Sequence, residues 1–166
     1  MDKILIIDDE AMVLQMLKGA LENLPYEVIS AQNAQEGLTL FHEHNPFLII
    51  LDMNMDGMNG MEVIQYLIKN EVPQHRYDCI MSSQTHDPEK PELTLRDADF
   101  HIVVLTGAGN KELMMKCSTL GVDYFLNKPI HLFTLRGIIE NIHRLKTSRD
   151  ELSRLFKKEQ ELLKAD

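Results

Sequence analysis

The sequence predicts a doubly wound α/β domain built on a parallel sheet, and three observations carry that prediction. Short apolar runs take turns with helical patterns, the runs show no polar/apolar alternation, and acids or a hydroxyl stand where they end. A strand with one wet face alternates, whereas a strand buried on both faces reads as a continuous apolar run. Strands alternating with helices imply right-handed βαβ units.

The elements follow in order. Lys3-Ile-Leu-Ile-Ile7 is the first run and ends in Asp8-Asp9-Glu10. Positions 11–24 carry Met12, Val13, Met16, Leu17, Ala20, Leu21 and Leu24 at helical spacing, and Pro25 stops that helix. Tyr26 to Ala31 is the second strand. Asn33 caps the next helix, which carries Leu38, Leu40 and Phe41 and ends at His44-Asn-Pro46. Phe47-Leu-Ile-Ile-Leu51 is the third run, ending in Asp52, and a helix near Met61 to Lys69 follows.

The rhythm then breaks. Positions 70–100 hold Pro73, Pro88 and Pro91 and little periodicity. Regularity returns with His101-Ile-Val-Val-Leu-Thr106, a helix over Lys111 to Leu120 turned off by Gly121, and a short strand from Tyr124 to Leu126. Asn127-Lys128-Pro129 comes next, and from about His131 one helical pattern runs on. In open parallel sheets ligands bind outside the carboxyl ends of the strands. Asp8, Asp9 and Asp52 all fall there.

Composition narrows the function. The 166 residues are 44% hydrophobic and 26% charged, an ordinary globular balance, and the net charge of −9 argues against nucleic-acid binding by this chain. No apolar run is long enough to span a bilayer and no signal-peptide pattern opens the chain, so no membrane role and a cytoplasmic location are expected. Cys79 and Cys117 lack metal-ligand spacing and are expected to be reduced thiols.

The ordered set Asp8-Asp9, Asp52, Thr106 and Lys128-Pro129, each at a strand end, resembles the receiver domain of bacterial two-component response regulators, the chemotaxis receivers among them. No single element is specific; the four in order are. The resemblance covers positions 1 to about 145 except 70–100. It implies a flavodoxin-like sheet of five parallel strands in the order 2-1-3-4-5 with helices on both faces, and the helical pattern from about His131 adds an extended C-terminal helix. A receiver domain is expected over 1–138, with 70–100 inserted between the third helix and fourth strand, and the tail's own helical pattern makes 139–166 an extension of the last helix. Cys79-Ile-Met-Ser-Ser83 imitates a fourth strand, but stands more than 20 residues too far from Lys128 for the family's spacing, which Thr106 fits.

The chemistry explains the residue types. A carboxylate accepts a phosphoryl group when charge on the transferring oxygens is neutralised and attack is in line. On the resemblance, Asp52 is phospho-acceptor and metal ligand. Asp8 and Asp9 form the acidic pocket for Mg²⁺ or Mn²⁺, one directly and one through water, and the backbone carbonyl of Asn54 completes the protein ligands. Lys128 supplies a point charge, its bond to Pro129 is cis, and Thr106 hydrogen-bonds the new phosphoryl group. Gly107 leaves room for that group, and Phe125 stands where the family has its switch aromatic. The donor is a phosphohistidine on a sensor histidine kinase or phosphotransfer protein. The domain assists its own phosphorylation and dephosphorylation and is otherwise no enzyme.

One departure concerns the loop Asp52-Met-Asn-Met-Asp56-Gly57-Met-Asn-Gly60, where the family usually has Pro at the place of Asp56. Altered metal affinity or a looser loop is expected, with Gly57 and Gly60 providing turns. Met53, Met55, Met58 and Met61 read as gap-fillers ahead of a docking surface. The insertion makes either a partner contact or no contact of consequence.

In the tail Leu135, Ile138, Ile142, Leu145, Leu152, Phe156 and Leu163 keep a 3-4 alternation, with Arg149 and Glu159 in the same seam. A coiled coil is expected, as a parallel homodimer supported by Glu140–Arg144 and Asp150–Arg154 pairs; a single amphipathic helix is the alternative. No effector motif follows Pro129, and a piece of a longer protein is expected. Two further readings stay open. One is a phosphorylation-independent scaffold. The other is a phosphohydrolase of the haloacid-dehalogenase kind, opposed by Asn54 where that family has a second Asp.

Overall fold

The structure, a computed structural model, describes residues 1–71, 99–107 and 111–163. Most of the 70–100 insertion, with Cys79 to Ser83, lies outside the described residues. The elements are β1 (Lys3–Ile7), α1 (Ala11–Leu21), β2 (Glu27–Ala31), α2 (Ala34–His44), β3 (Leu48–Asp52), α3 (Gly60–Glu71), β4 (His101–Thr106), α4 (Lys111–Thr119), β5 (Tyr124–Asn127) and α5 (Leu132–Leu163).

The five strands form one parallel sheet in the order β2-β1-β3-β4-β5, as the resemblance implies. Every residue of β3 is buried, which is why its sequence shows no alternation. Alternate side chains leave opposite faces. Leu5, Ile7, Ile49, Leu51, Ile102 and Val104 join one core with Leu38 and Phe41 of α2 and Val63, Ile64 and Leu67 of α3. Ile4, Ile6, Leu48, Ile50, Val103 and Leu105 alternate with the strand residues of that core and are buried as well, and α1 buries Leu14, Leu17 and Leu21.

Local chemistry sets the helix ends. Asn33 Oδ1 accepts the Glu36 N–H (2.9 Å) at the start of α2, and Asn45 ends that helix in the left-handed region (φ 46°). Asn59 and Glu62 cap α3 reciprocally, Glu62 N–H to Asn59 Oδ1 (3.1 Å) and Asn59 N–H to Glu62 Oε2 (2.8 Å). α1 ends at Leu21, short of the expected 24. Leu24 N–H donates to the Leu21 carbonyl (3.0 Å), a tighter turn that leaves the chain ready for the extended backbone Pro25 demands.

The chain divides into two compact units, Met1–Ile130 and His131–Asp166. In the second, Leu135, Ile139 and Ile142 of α5 are buried, while Leu145, Leu152, Leu155 and Phe156 are exposed, Leu152 at 56% and Phe156 at 64%. Arg144 donates to Asn141 Oδ1 (3.0 Å) and Lys146 pairs with Asp150 (3.1 Å), in place of the expected Glu140–Arg144 and Asp150–Arg154 pairs. The side chains of Glu159 and Leu163 lie outside the described residues. No helix among the described residues is long and apolar enough to cross a membrane.

Candidate functional site

β1, β3 and β4 run side by side with Ile7 opposite Leu51 and Asp52 opposite Leu105. Asp8, Asp52 and Thr106 therefore meet at one edge, and Lys128, just past β5, reaches the same place. Apolar strand length decides where each polar group emerges. Asp8 N–H donates to the Ala31 carbonyl of β2 (3.2 Å), and Lys128 N–H to the Thr106 carbonyl (2.8 Å), so the sheet's own hydrogen bonds extend into the site.

Asp52 is only 1% exposed. Its Oδ1 accepts the Asn54 N–H (3.3 Å), and its Oδ2 lies 3.2 Å from Lys128 Nζ. Asp8 is fully buried. Its Oδ1 accepts the Glu10 N–H (2.9 Å), while its Oδ2 meets Lys128 Nζ at 3.0 Å as an ion pair with no hydrogen-bond donor aligned on it. Glu10 Oε1 is 3.1 Å from the same ammonium. Ligand oxygens of Asp8, Glu10 and Asp52 lie within 4.8 Å of one another.

Three carboxylates and one ammonium leave two formal negative charges, with Asp8 and Asp52 buried and Glu10 exposed. Burial, and then repulsion from Asp8, push the Asp52 carboxyl above its ordinary range, against the pull of Lys128 and the Asn54 N–H. For Lys128 burial opposes the charge, but the carboxylates of Asp8, Glu10 and Asp52 outweigh it and raise its affinity for the proton. Two buried carboxylates and a third beside them, an all-oxygen donor set and a surplus of two charges fit a hard divalent cation.

The remaining candidates surround this cluster. Thr106 is buried, and its hydroxyl donates to the Gly107 carbonyl (3.0 Å). Among the described residues, a Cβ at Gly107 would meet Asn54 Nδ2, at 3.9 Å. The Lys128–Pro129 bond is cis. Phe125, opposite Val104, is half-buried and packs against the core. Met53 and Met55 are buried in that core and Met61 packs on it, the gap-filling expected of them. With Asn54, Asp56 and Leu113 they border an open cavity of about 440 Å³ beside the β3–α3 loop.

Asp9 stands apart from the cluster. It is exposed, and its Oδ2 accepts the backbone N–H of Asp56 (3.0 Å). Glu10 takes the third acidic place, a residue the sequence reasoning passed over. Its backbone is extended (φ −85°, ψ 104°), so the two-residue period of β1 carries past the strand end and puts Asp8 and Glu10 on one side. That period was the signal available. Gly60 also differs from its expected role. It has no positive φ; instead a Cβ there would stand 2.5 Å from the Asp52 carbonyl oxygen and 2.8 Å from Met53 Cα, so close approach requires the glycine. Gly57 is the turn glycine, at φ 79°.

Known proteins resemble this chain in sequence and in fold. The family model for the response regulator receiver domain matches residues 4–96; Thr106 and Lys128 lie beyond the matched stretch. The probable transcriptional regulator ycf27 of Porphyridium aerugineum is 41% identical over 143 residues, 86% of this chain and 48% of that protein. The chain thus spans about half the length of the curated relatives it matches. A receiver domain protein from Clostridium thermocellum superposes with TM-score 0.66 at 27% identity, over 89% of this chain and 98% of that one. The signal receiver domain of a LuxO repressor protein from Vibrio parahaemolyticus gives TM-score 0.71 over 91% and 96%, at 18% identity a likeness of fold alone. With the sheet order and the strand-end residues they establish that the chain belongs to the response regulator receiver domains, the phosphorylation-dependent signalling switches of two-component systems.

Proposed function

We propose that Asp52 accepts a phosphoryl group from a phosphohistidine on a sensor histidine kinase or phosphotransfer protein, in a reaction that depends on Mg²⁺ or Mn²⁺. The observation that carries this reading is the buried Asp52 carboxylate sharing the Lys128 ammonium with the fully buried Asp8 and with Glu10. Asp8, Asp9, Asp52 and the Asn54 carbonyl would hold the cation, with Glu10 beside them, and it would supply charge neutralisation for the transferring oxygens. An Asp52 carboxylate oxygen forms the new P–O bond as the P–N bond of the donor breaks and its imidazole keeps the electron pair. Lys128 turns its ammonium from the carboxylates to the phosphoryl oxygens. The Thr106 hydroxyl leaves the Gly107 carbonyl and donates to the phosphoryl group, and Phe125 moves into the space Thr106 vacates. The chain's only chemistry on this reading is the making and loss of its own phosphoaspartate.

The test is labelling by a small phosphodonor with and without Mg²⁺. Wild-type protein is labelled only with the cation, and Asp52→Asn is not labelled. Label persisting in that variant refutes the assignment.

The receiver machinery is assigned to 1–138 and a coiled-coil extension to 139–166, in a cytoplasmic protein whose state passes along α5 to an output domain or partner. The exposed Leu145, Leu152 and Phe156 favour pairing of α5 with a second copy. Sedimentation equilibrium is expected to show a homodimer that Leu152→Ser weakens; a monomer at every concentration rejects the pairing.

A further inference from the structure

We infer that Asp56 is a positioning residue for the cation site: its backbone N–H holds the Asp9 carboxylate away from the Asp8–Glu10–Asp52 cluster and so weakens divalent-cation binding. This rests on the proposed cation site and concerns how tightly that site closes.

The first ground is geometric. Asp9 Oδ2 accepts the Asp56 N–H at 3.0 Å, across 47 positions of sequence, which joins the β1–α1 turn to the β3–α3 loop. The second is the company Asp9 does not keep. The carboxylates of Asp8, Glu10 and Asp52 have oxygens within 4.8 Å of one another, whereas Asp9 is exposed and turned to the loop. The third is chemical. A proline at position 56 has no N–H and could not make this bond, whereas any other residue there offers one. The loop is already shaped around the contact: Gly57 takes a left-handed backbone (φ 79°), and Met53 and Met55 anchor the segment in the core.

An anionic acceptor engaged by a backbone donor loses that bond when it turns to a cation. A net hydrogen bond of ordinary strength then appears as a several-fold loss of affinity. The Asp56 carboxylate has a separate effect, since its charge favours a cation at any nearby point. Side chain and backbone at position 56 thus act in opposite directions, and substitutions can separate them.

The experiment is calorimetric titration of the full chain, without phosphodonor, with MgCl₂ and MnCl₂. Asp56→Ala removes the charge and keeps the N–H; Asp56→Pro removes both. The expected result is about fivefold tighter binding in Asp56→Pro than in Asp56→Ala. In an Asp9→Asn background the same Ala-to-Pro change is expected to leave affinity unaltered, because the tethered carboxylate is gone. Thermal unfolding of each variant shows whether the loop accommodates a proline at this position. Should it not, Asp9→Asn alone is compared with wild type; a loss of affinity smaller than that of Asp8→Asn is expected of an acid held back, and an equal or larger loss overturns the inference. Equal affinities for folded Ala and Pro variants also overturn it and leave the cation site standing. No binding by wild type at millimolar cation removes the cation site itself.

Discussion

Gly60→Ala tests how tightly Asp52 is built into the fold. The added Cβ would lie 2.5 Å from the carbonyl oxygen of Asp52, and 2.8 Å from both Cα and Sδ of Met53. Sδ belongs to a flexible side chain and can retreat; the two backbone atoms belong to the end of β3 and cannot without displacing Asp52. Moving the start of α3 by roughly 0.5–1 Å to restore contact distance is an overpacking change, which costs about 1–3 kcal/mol. Helix propensity returns at most about 1 kcal/mol, and less at the first residue of a helix. The net loss is about 1–2 kcal/mol, a fall in Tm of about 2–8 °C for a chain of this size. Gly19→Ala is the control: it lies in α1 with nothing within 4 Å of its Cβ, and is expected to gain about 0.5–1 kcal/mol. Thermal unfolding and the initial rate of Asp52 labelling are measured on both variants. Gly60→Ala is expected to slow labelling and Gly19→Ala to leave it unchanged. Equal Tm values for the two variants would refute the reasoning.

Asp52→Asn is expected to stabilise the cation-free protein. The folded-state pKa of Asp52 is raised, so its charge costs stability in full above that raised value, and the cost is relieved as pH falls toward the ordinary 3.8. Urea midpoints should show a gain at pH 7 that shrinks on acidification; a lower midpoint at pH 7 rejects the sign. Lys128→Met leaves three carboxylates without their cation. With Lys128 23% exposed, a loss of about 1–3 kcal/mol is expected, and added Mg²⁺ should recover more stability in the variant than in wild type. Asn59→Ala removes the side-chain half of the α3 capping box and should cost about 0.5–2 kcal/mol by denaturant titration, with the labelled residue unchanged.

Legibility in the sequence followed from burial. Strands such as Leu48–Asp52, covered on both faces, leave unbroken apolar runs, and the residue ending each run is a candidate for the site without any knowledge of side-chain placement. Spacing to Lys128 also separated Thr106 from the imitation strand at Cys79 to Ser83. What escaped depends on direction and on backbone groups. Glu10 joins the cluster because its extended backbone turns it to the same side as Asp8, while the neighbouring Asp9 is turned away. The donor that receives Asp9 is a peptide N–H, visible in the sequence only as the absence of proline at position 56. Gly60 looked like a turn residue; its close approach to β3 depends on how α3 packs, which no local pattern records. On α5, several charged residues lie within reach of one another, so spacing alone did not choose the partners of Arg144 and Asp150.

The surplus of negative charge around Asp52 also has a kinetic consequence. A phosphodonor is itself an anion, and among the described residues Lys128 is the cation paired with Asp8, Glu10 and Asp52 where it would approach. On the proposed function the favoured order of arrival would be cation before donor, because the reverse order brings like charges together at close range. Donors that carry their phosphoryl group on a basic protein surface gain in encounter rate over small anionic ones, and salt narrows that advantage by screening both.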